Sequence, residues 1–593
     1  MTEKNKRSVI GKAVDLVILK RIFSYVRPYR TNFGMAVFTT ITLAGLAIVR
    51  PLLVKFTFDN YVELPNAEML LTMTLLMTGI LFLEAFLQFS DAFLTNTLGQ
   101  KIIKDLRIQV YQHIIGFRLK YYDNTPIGML VTRAVSDIEV VADIFSEGLI
   151  VIIGDILKVL VIVAIMFMMN VKLTLIVLLP IPLLLISTYI FKKSVANSFH
   201  EVRTQVARLN AFLQEHITGM RIVQIFNREK AEMKAFEEIN GRHRDANIRS
   251  IKAYSIFFPV VEILSSVALA LLVWSWGHDV LNGLASIGEM TAFIMFLNMM
   301  FRPIRQLADR FNTLQMGMVS SERVFKILDT VETIEDKGKQ DANMISGNVV
   351  FKDVWFAYND EDWILKNVSF DVKAGETIAL VGATGAGKSS IINLLSRFYE
   401  YNKGEISIDG INIRDYSLST LQRNIGVVLQ DVFLFSDTIM NNITLNNSAI
   451  TREMVIDAAK VVGAHDFISN LPKGYEYDVM ERGAMLSVGQ RQLISFIRAY
   501  VYNSRILVLD EATSSIDTES EKMIQFATDK LTQGRTSIVI AHRLATIQKA
   551  DRIIVLDKGE VIESGNHQAL LKNNGPYKRL FELQFKETVK PAL

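Results

Sequence analysis

The chain contains no cysteine among its 593 residues. It can therefore form no disulfide, no thiolate metal site and no cysteine nucleophile. The chain also lacks a large excess of either sign of charge. Its 64 basic residues nearly balance its 61 acidic ones and leave a formal net charge of +3. No basic stripe with interleaved aromatic residues is present, so we expect no nucleic acid partner.

An early apolar segment is also missing. Residues 1–8 are polar and basic, and no small-residue cleavage site follows them. We therefore do not expect a cleaved signal peptide.

Apolar residues are plentiful and unevenly spread. They make up 50% of the chain, and the mean hydropathy is +0.27, which is high for a soluble protein. The long apolar runs lie in the first half, whereas the second half resembles an ordinary α/β domain. A chain of this length is too long for one hydrophobic core, so we predict at least two domains.

The first half contains six segments long enough to cross a bilayer, which takes about 20 apolar residues each. They lie near 33–60, 69–95, 147–169, 171–191, 253–279 and 287–312.

The connections between these segments alternate in length. Those near 62–67, 169–172 and 280–286 are short, whereas 99–146 and 192–252 are long, polar and basic. The positive-inside rule places the long connections and the N-terminus in the cytoplasm. Their apolar residues recur at helical spacing, so we expect helices that continue out of the membrane.

Charged residues interrupt the apolar segments, although each costs about 2.5–3.5 kcal/mol at mid-bilayer on insertion scales. They are Arg50, Lys55, Glu84, Asp91, Asp155, Lys158, Glu262 and Arg302. Two explanations are open: pairing between helices or snorkelling near a span end, and a charged cavity that contacts an amphiphilic cargo. The candidate cavity residues are Arg50, Glu84, Glu262 and Arg302. Arg302 is the best single candidate, because Pro303 follows it and weakens helix hydrogen bonding there.

The strongest motif in the second half is 382–389, Gly-Ala-Thr-Gly-Ala-Gly-Lys-Ser, between an apolar run at 377–381 and another at 391–395. A glycine-rich turn from a strand into a helix lets backbone N–H groups surround a nucleotide's phosphates. Lys388 then reaches the β- and γ-phosphates, and the Ser389 hydroxyl binds Mg²⁺. The predicted phosphate-binding residues are Gly382, Ala383, Thr384, Gly385, Ala386, Gly387, Lys388, Ser389 and Ser390.

Further motifs supply the parts of an ATPase. A buried apolar strand at 505–509 ends in Asp510 and Glu511. Asp510 suits a Mg²⁺ ligand, and Glu511 suits the base that polarises the attacking water. His542 follows the apolar strand 536–540 and is a candidate γ-phosphate contact. Gln430, after the strand 425–429, is a candidate sensor of Mg²⁺ or of the water.

The order of these motifs, with Leu-Ser-Val-Gly-Gln at 486–490, resembles the ATP-binding cassette. With six spans ahead of it, the chain resembles a half-transporter of the ABC exporter family. The segments 121–133 and 217–226 are similar to the family's two cytoplasmic loops. The resemblance implies an α-helical membrane domain followed by an α/β phosphate-loop NTPase domain. The expected boundaries are 1–330 for the membrane domain, 331–345 for a linker, 346–585 for the cassette and 586–593 for a tail.

The resemblance also implies how the chain works. Tyr358 would stack on adenine, and Ser487, Val488, Gly489 and Gln490 would meet the ATP bound by a second half-transporter, with Asp517 in the adjoining loop. ATP and Mg²⁺ are the expected cofactors. Closure of two cassettes would convert a membrane cavity from inward- to outward-facing and export or flip a lipid or amphiphilic, drug-like compound. The expected location is a bacterial inner membrane, with the cassette in the cytoplasm.

One residue departs from the family pattern, because Val488 stands where the signature usually has glycine. Valine adds a β-branched side chain near the expected phosphate and disfavours a positive φ. Two interpretations are open: a tolerated change in a homodimer, and the Glu-bearing half of a heterodimer, which resembles exporters with one altered signature. We favour the heterodimer slightly.

Two other functions compete with a lipid or drug exporter. An ATP-gated channel or sensor has the same architecture, but Glu511 and His542 argue for turnover. A peptide exporter is the other alternative, although by family resemblance it often has an N-terminal peptidase domain, for which this short N-terminus leaves no room.

Overall fold

The computed structural model of the chain describes residues 16–62, 66–281, 286–334, 336, 338, 340, 345–359, 362–511, 518–541 and 543–585. Two compact units emerge from the contacts between residues. The first comprises Met1–Gly116 and Thr125–Val331, and the second comprises Phe117–Asn124 and Glu332–Leu593. A short stretch from the N-terminal half therefore packs with the C-terminal half.

The N-terminal half is helical. Its helices are α1 (Leu16–Ser24), α2 (Arg30–Thr57), α3 (Ala67–Ile115), α4 (Leu119–Asn124), α5 (Ile127–Thr132), α6 (Ile138–Asp143), α7 (Leu149–Met169), α8 (Val171–Leu178), α9 (Ile181–Thr218), α10 (Met220–Ile225), α11 (Glu229–Leu281) and α12 (Ile287–Asp329). Side-chain caps fix the start of several of them. Asn66 accepts a hydrogen bond from the Met69 N–H at 3.1 Å, and Ser286 accepts one from the Glu289 N–H at 3.1 Å. Each cap satisfies an N–H group that has no partner within the helix.

Five helical stretches in the described residues are long and apolar enough to cross a membrane: 27–62, 67–115, 127–169, 171–218 and 229–279. Three of the helices, α3, α9 and α11, run without interruption from apolar into polar sequence, as the helical spacing predicted. The sixth predicted span, 287–312, lies within α12 and is helical. Because α12 also carries several charges, the count of six spans stays a prediction.

The core of the first unit is aromatic and aliphatic. Phe191 on α9 and Phe257 on α11 stack with ring centroids 4.0 Å apart. Phe293, Phe296 and Phe301 on α12 are fully buried in the same cluster. Apolar packing between helices therefore forms the core of this unit.

The second unit contains two sheets. Their strands are β1 (Val349–Ala357), β2 (Trp363–Val372), β3 (Thr377–Gly382), β4 (Lys403–Ile408), β5 (Ile411–Asn412), β6 (Ile425–Val428), β7 (Ile506–Glu511), β8 (Thr536–Ala541), β9 (Arg552–Asp557) and β10 (Glu560–Gly565). The antiparallel sheet has the order β2-β1-β4-β5. The larger sheet has the order β10-β9-β3-β8-β7-β6 and is parallel except for β10.

Helices cover these sheets. They are α13 (Lys388–Leu395), α14 (Leu418–Asn424), α15 (Ile439–Thr444), α16 (Arg452–Val462), α17 (His465–Ser469), α18 (Val488–Val501), α19 (Thr518–Thr532), α20 (Leu544–Lys549), α21 (His567–Lys572) and α22 (Pro576–Phe585). Two apolar clusters fill the unit, one between the sheets and α13 and the other under α16, α18 and α19. The fold class predicted from sequence is confirmed: a helical membrane domain precedes an α/β domain of the phosphate-loop NTPase type.

Candidate functional site

Four neighbouring strands of the parallel sheet end at one edge, and the predicted phosphate and catalytic motifs follow them there. β3 ends at Gly382, where the phosphate loop begins, and β7 ends at Asp510 and Glu511. β8 lies between these two strands, with Glu511 opposite Ala541. β6 leads to Gln430 beside β7. Ligands of parallel α/β sheets bind at the carboxyl ends of the strands, so this edge is the candidate nucleotide site.

The backbone of the phosphate loop requires glycine at specific positions. Gly385 and Gly387 have φ values of 85° and 100°, which side-chain-bearing residues rarely adopt. A Cβ at Gly387 would lie 2.6 Å from Leu365 Cδ2, and one at Gly382 would lie 2.2 Å from the Leu556 carbonyl oxygen. The loop therefore has the close backbone path that a phosphate cradle needs, and α13 begins directly after it.

Lys388 lies over this loop. Its side chain is buried, and Nζ donates to the carbonyl oxygens of Gly382 at 2.8 Å and Ala383 at 3.0 Å. Burial lowers the pKa of Lys388, while Asp510 opposes that shift. A buried ammonium group with only carbonyl partners in the loop suits an incoming phosphate. Ser389 is exposed in the first turn of α13, where its hydroxyl is accessible to a metal ion.

The Asp510 carboxylate interacts electrostatically with the Lys388 ammonium group. Burial raises the pKa of Asp510, Lys388 lowers it, and the negative charge of Asp431 raises it further. Sequence reasoning missed Asp431, which is exposed and directly follows Gln430. Its only signal was its position after β6, since no motif marks it. A bivalent cation would relieve the repulsion between Asp431 and Asp510, so the charges at this edge fit a Mg²⁺–nucleotide complex.

Tyr358, the predicted adenine-stacking residue, lies beside the phosphate-loop helix. Its hydroxyl is 3.2 Å from the Ser390 hydroxyl, and the Asn393 side-chain amide donates to it at 3.1 Å. Its ring packs edge-to-face against Phe356 and Tyr399, with centroids 4.7 and 4.9 Å away. Adenine stacking stays a prediction, and the polar contacts link this residue to α13.

A short contact chain connects Tyr358 to the N-terminal half of the sequence. The Tyr399 hydroxyl donates a hydrogen bond to the Asp123 carboxylate at the end of α4. Burial and the neighbouring Asp123 charge raise the pKa of Tyr399. In the same segment, Arg118 forms an ion pair with Glu332. Sequence reasoning missed Tyr399, because a lone aromatic residue after a helix carries no motif.

The segment 486–490 forms the start of α18. The Ser487 hydroxyl accepts from the Gln490 N–H at 3.2 Å, and the Gln490 side chain accepts from the Ser487 N–H at 2.9 Å. This reciprocal capping box defines the start of the helix, and Ser487 is exposed there, at a helix N-terminus where an anion is favoured. Val488 is the first residue of the helix and is 47% exposed, and Gly489 is buried.

Val488 is not among the residues with positive φ, so the backbone strain considered from the sequence is absent. What remains is its bulk at the helix N-terminus.

Three of the side chains predicted to form the nucleotide site lie outside the part of the chain that the structure describes. His542 and Asp517 lie outside the described residues, and so does the side chain of Glu511, although its backbone ends β7. Their roles stay predictions. The strand register places Ala541, the last residue of β8, opposite Glu511 at the end of β7.

The four candidate cavity residues are distributed over four helices of the first unit. Arg50 on α2 and Glu84 on α3 form an ion pair at 3.8 Å. Glu262 on α11 and Arg302 on α12 are both exposed. The structure thus brings Arg50 and Glu84 together, which fits the pairing explanation.

Comparison with known proteins identifies the family. A family profile for the ABC transporter transmembrane region matches residues 33–304, and one for the ABC transporter matches residues 365–514. The chain is 39% identical over 527 residues to the "Probable multidrug resistance ABC transporter ATP-binding/permease protein YheH" of Bacillus subtilis, covering 88% of this chain and 78% of that protein.

Two further relatives match along almost their entire length. The chain is 37% identical over 584 residues to the B. subtilis "Uncharacterized ABC transporter ATP-binding protein YknV", covering 98% of this chain and 97% of that protein. It is 36% identical over 571 residues to the "ATP-dependent lipid A-core flippase" of Syntrophus aciditrophicus, covering 96% and 95%.

The chain therefore belongs to the ABC transporter family, with an exporter-type membrane region fused to the cassette. It is an integral membrane protein and an ATPase coupled to transport.

Proposed function

We propose that this chain, paired with a second half-transporter, exports or flips a lipid or amphiphilic compound across a bacterial plasma membrane. The observation that carries the proposal is the shared sheet edge, where the phosphate loop, Asp510, Glu511 and Gln430 meet. The cassette and the N-terminus then lie in the cytoplasm. ATP-dependent movement of a tail-labelled lipid in proteoliposomes tests the proposal, and flux without ATP turnover would favour a channel instead.

Each residue at the edge has a proposed part in hydrolysis. Lys388 and the loop N–H groups bind the phosphates, Ser389, Asp510 and Gln430 hold Mg²⁺ directly or through water, and Tyr358 stacks on adenine. Glu511 takes the proton of the attacking water, and His542 contacts the γ-phosphate. The charge pattern around Lys388 and Asp510 supports this assignment.

Two chains are needed, because one chain has one cassette and the signature acts in trans. The exposed start of α18, with Ser487, Gly489 and Gln490, supports contact with a phosphate bound by the partner. Asp517, which lies outside the described residues, is a further proposed contact.

We favour a heterodimer slightly, with this chain as the half that bears Glu511. The bulk of the exposed Val488 side chain where the phosphate must approach supports that preference. Purification of the chain alone tests it: a stable homodimer that hydrolyses ATP at both sites would refute the heterodimer.

Coupling between hydrolysis and the membrane helices is proposed to use α4. This helix lies in sequence between α3 and α5, yet it packs with the second unit. The Asp123–Tyr399 hydrogen bond, the Tyr399–Tyr358 ring contact and the Tyr358–Ser390 contact form a continuous path to the phosphate-loop helix. A contiguous packed path with a hydrogen bond at each end is a physical means of transmitting closure.

A further inference from the structure

A polar cavity lies in the second unit, where the turns before β7 and β8 meet the ends of α16, α18 and α19. These turns precede the amino ends of the two strands, so the cavity is at the opposite edge of the sheet from the candidate nucleotide site. Its charged lining residues are Arg505, Lys530 and Arg535, and none of the described residues that line it is acidic. The cavity volume is about 410 Å³, within the range of about 300–1,000 Å³ that is typical of small-molecule sites.

Two of these cations have no acidic partner. Among the described residues, no carboxylate oxygen lies within 4.0 Å of a side-chain nitrogen of Lys530 or Arg535. The neighbouring carboxylate of Asp529 pairs instead with Lys549. Lys530 is exposed, and its Nζ lies 5.6 Å from the centroid of the Phe526 ring. Its charge is therefore available to an anion from solution.

The hydrogen bonds of Arg535 go to neutral groups. Its Nη2 donates to Asn503 Oδ1 at 3.0 Å, and its Nη1 donates to the Ala499 carbonyl oxygen at 3.5 Å. Its guanidinium group also lies over the Tyr500 ring, 5.4 Å from the centroid. Burial lowers the pKa of Arg535, Tyr500 raises it, and the positive charge of Arg505 lowers it again. Two like charges held close together are unfavourable, so a bound anion would stabilise this arrangement.

Helix ends explain part of this positive charge. α16, α18 and α19 all end at the cavity, and each helix C-terminus carries about half a negative charge. The three ends together amount to about 1.5 negative charges, which Lys530 and Arg535 alone exceed. Arg505 adds to the positive charge of the lining. The helix ends therefore account for some of the cations, and the remainder favours an anionic ligand.

The cavity and the nucleotide site lie at opposite ends of the same elements. β7 runs from the cavity to Asp510 and Glu511, and β8 runs parallel beside it. Six residues at about 3.3 Å each separate the two sites by roughly 20 Å. α18 begins at the Ser487 cap and ends at the cavity with Tyr500. One phosphate therefore cannot contact both sites, and both can be occupied at the same time.

We propose that this cavity binds a small anion with a diphosphate group, either inorganic pyrophosphate or the diphosphate of a nucleotide. Guanidinium groups bind phosphate oxygens bidentately, and a lysine ammonium group meets a phosphate as a point charge. A diphosphate has two charged groups and can contact cations on α19 and on both turns at once. A nucleic acid is not favoured, because the cations line one cavity and do not form an extended stripe. The site is separate from the one proposed for ATP hydrolysis, and its occupancy does not depend on the cargo.

The test uses the full chain in its purified dimer, with Lys388→Ala to weaken binding at the phosphate loop. Calorimetric titration measures the binding of inorganic pyrophosphate, ADP, orthophosphate and sulfate, and a glutamate-rich peptide serves as the carboxylate comparison. We expect pyrophosphate to bind with a dissociation constant of about 1 mM or lower. Orthophosphate and sulfate should bind at least about tenfold more weakly, because each contacts fewer cations. Bound pyrophosphate should also raise the unfolding midpoint, since it binds only the folded protein.

Variants of α19 assign the binding to the cavity. Lys530→Gln should weaken pyrophosphate binding about tenfold, the effect of one lost charge pair. Because Lys530 is exposed, this variant should fold normally. Lys530→Arg keeps the charge and should keep most of the affinity. Lys522→Gln is the matched control, since it removes an exposed lysine from the same helix outside the cavity and should leave the affinity unchanged.

The outcomes also distinguish the two sources of the diphosphate. Binding of ADP at least as tight as that of pyrophosphate would support a nucleotide as the source, and tighter binding of pyrophosphate would support the inorganic anion. Equal binding of all four anions would indicate an adventitious ion only and would overturn the proposal. Equal affinities in Lys530→Gln and Lys522→Gln would overturn it too, as would no binding of either diphosphate at about 10 mM. Tighter binding of the glutamate-rich peptide than of either diphosphate would refute the ligand class.

Discussion

Replacement of Tyr399 by phenylalanine tests the proposed coupling path through α4. The change removes only the hydroxyl that donates to Asp123. The ring is buried, and its edge-to-face contacts with Phe356 and Tyr358 at 5.8 and 4.9 Å do not involve the hydroxyl. The variant should therefore preserve packing and disconnect α4 from the aromatic pair beside α13.

The expected loss can be estimated from the environment of the hydrogen bond. A hydrogen bond to a charged group contributes about 1.5–3 kcal/mol to stability. Asp123 is exposed, so water can replace the lost hydroxyl, and we expect a loss of about 1 kcal/mol. Tyr399→Phe combined with Asp123→Asn should cost little more than either change alone, because both remove the same interaction.

Two measurements should be made on the dimer: the unfolding midpoint, and the ratio of cargo-stimulated to basal ATP turnover. Tyr399→Phe should lower both. Tyr401→Phe is the matched control, since its hydroxyl donates to Asn412 at 3.0 Å within the cassette. The control should lower stability by about 0.5–1.5 kcal/mol and leave the turnover ratio unchanged.

The pH dependence follows from the raised pKa of Tyr399, whose ordinary value is 10.0. The folded protein holds the phenolic proton more tightly than the unfolded chain, so this stabilisation is complete below pH 10 and is lost as the pH rises further. The effect of Tyr399→Phe should therefore be constant from pH 6 to 9. An unchanged turnover ratio, or equal ratios in Tyr399→Phe and Tyr401→Phe, would refute the coupling path.

Three further predictions concern the nucleotide site. Glu511→Gln should retain ATP binding while turnover falls by roughly 10²–10⁴, the usual contribution of a general base, and near-normal turnover would mean that another group is the base. Gly387→Ala should weaken ATP binding more than Gly385→Ala does. Both changes cost about 1–2 kcal/mol of backbone strain, but only the Cβ at residue 387 also meets Leu365, at 2.6 Å from Cδ2. Calorimetric titration with ATP compares the two variants. Val488→Gly should raise turnover at the site that contains the partner's phosphate loop, at a helix cost of about 1 kcal/mol, and an unchanged rate would show that the valine is tolerated.

Local patterns in the sequence predicted the glycine-rich turn and the strand ends that form the candidate nucleotide site. The segment 382–389 specifies its own conformation, since glycines permit the positive φ values and the flanking apolar runs define β3 and α13. Gln430 follows β6 and Asp510 lies near the end of β7, and parallel pairing brings strand ends together regardless of their separation in sequence. Such features can be predicted from sequence because each depends on a few neighbouring residues.

Other features depend on contacts between residues that are distant in sequence, so they could not be predicted from the sequence. Nothing near Tyr399 indicates that Asp123, far away in sequence, accepts its hydrogen bond, and Asp431 matters only because β6 lies beside β7. The charges on the spans were recognised, but which of them pair depends on how α2, α3, α7 and α12 turn toward one another. The Glu262 and Arg302 side chains were grouped with Arg50 and Glu84 by charge alone, and the structure pairs Arg50 with Glu84.

The length of α3 has a mechanical consequence. Its 49 residues form one uninterrupted helix. At 1.5 Å per residue such a rod is about 73 Å long, more than twice the roughly 30 Å thickness of the hydrocarbon layer. Asp91 lies near its middle, so a rotation of about 10° around that point would sweep each tip through roughly 6 Å. A small rotation of α3 about its middle therefore becomes a displacement of several ångströms at both of its ends.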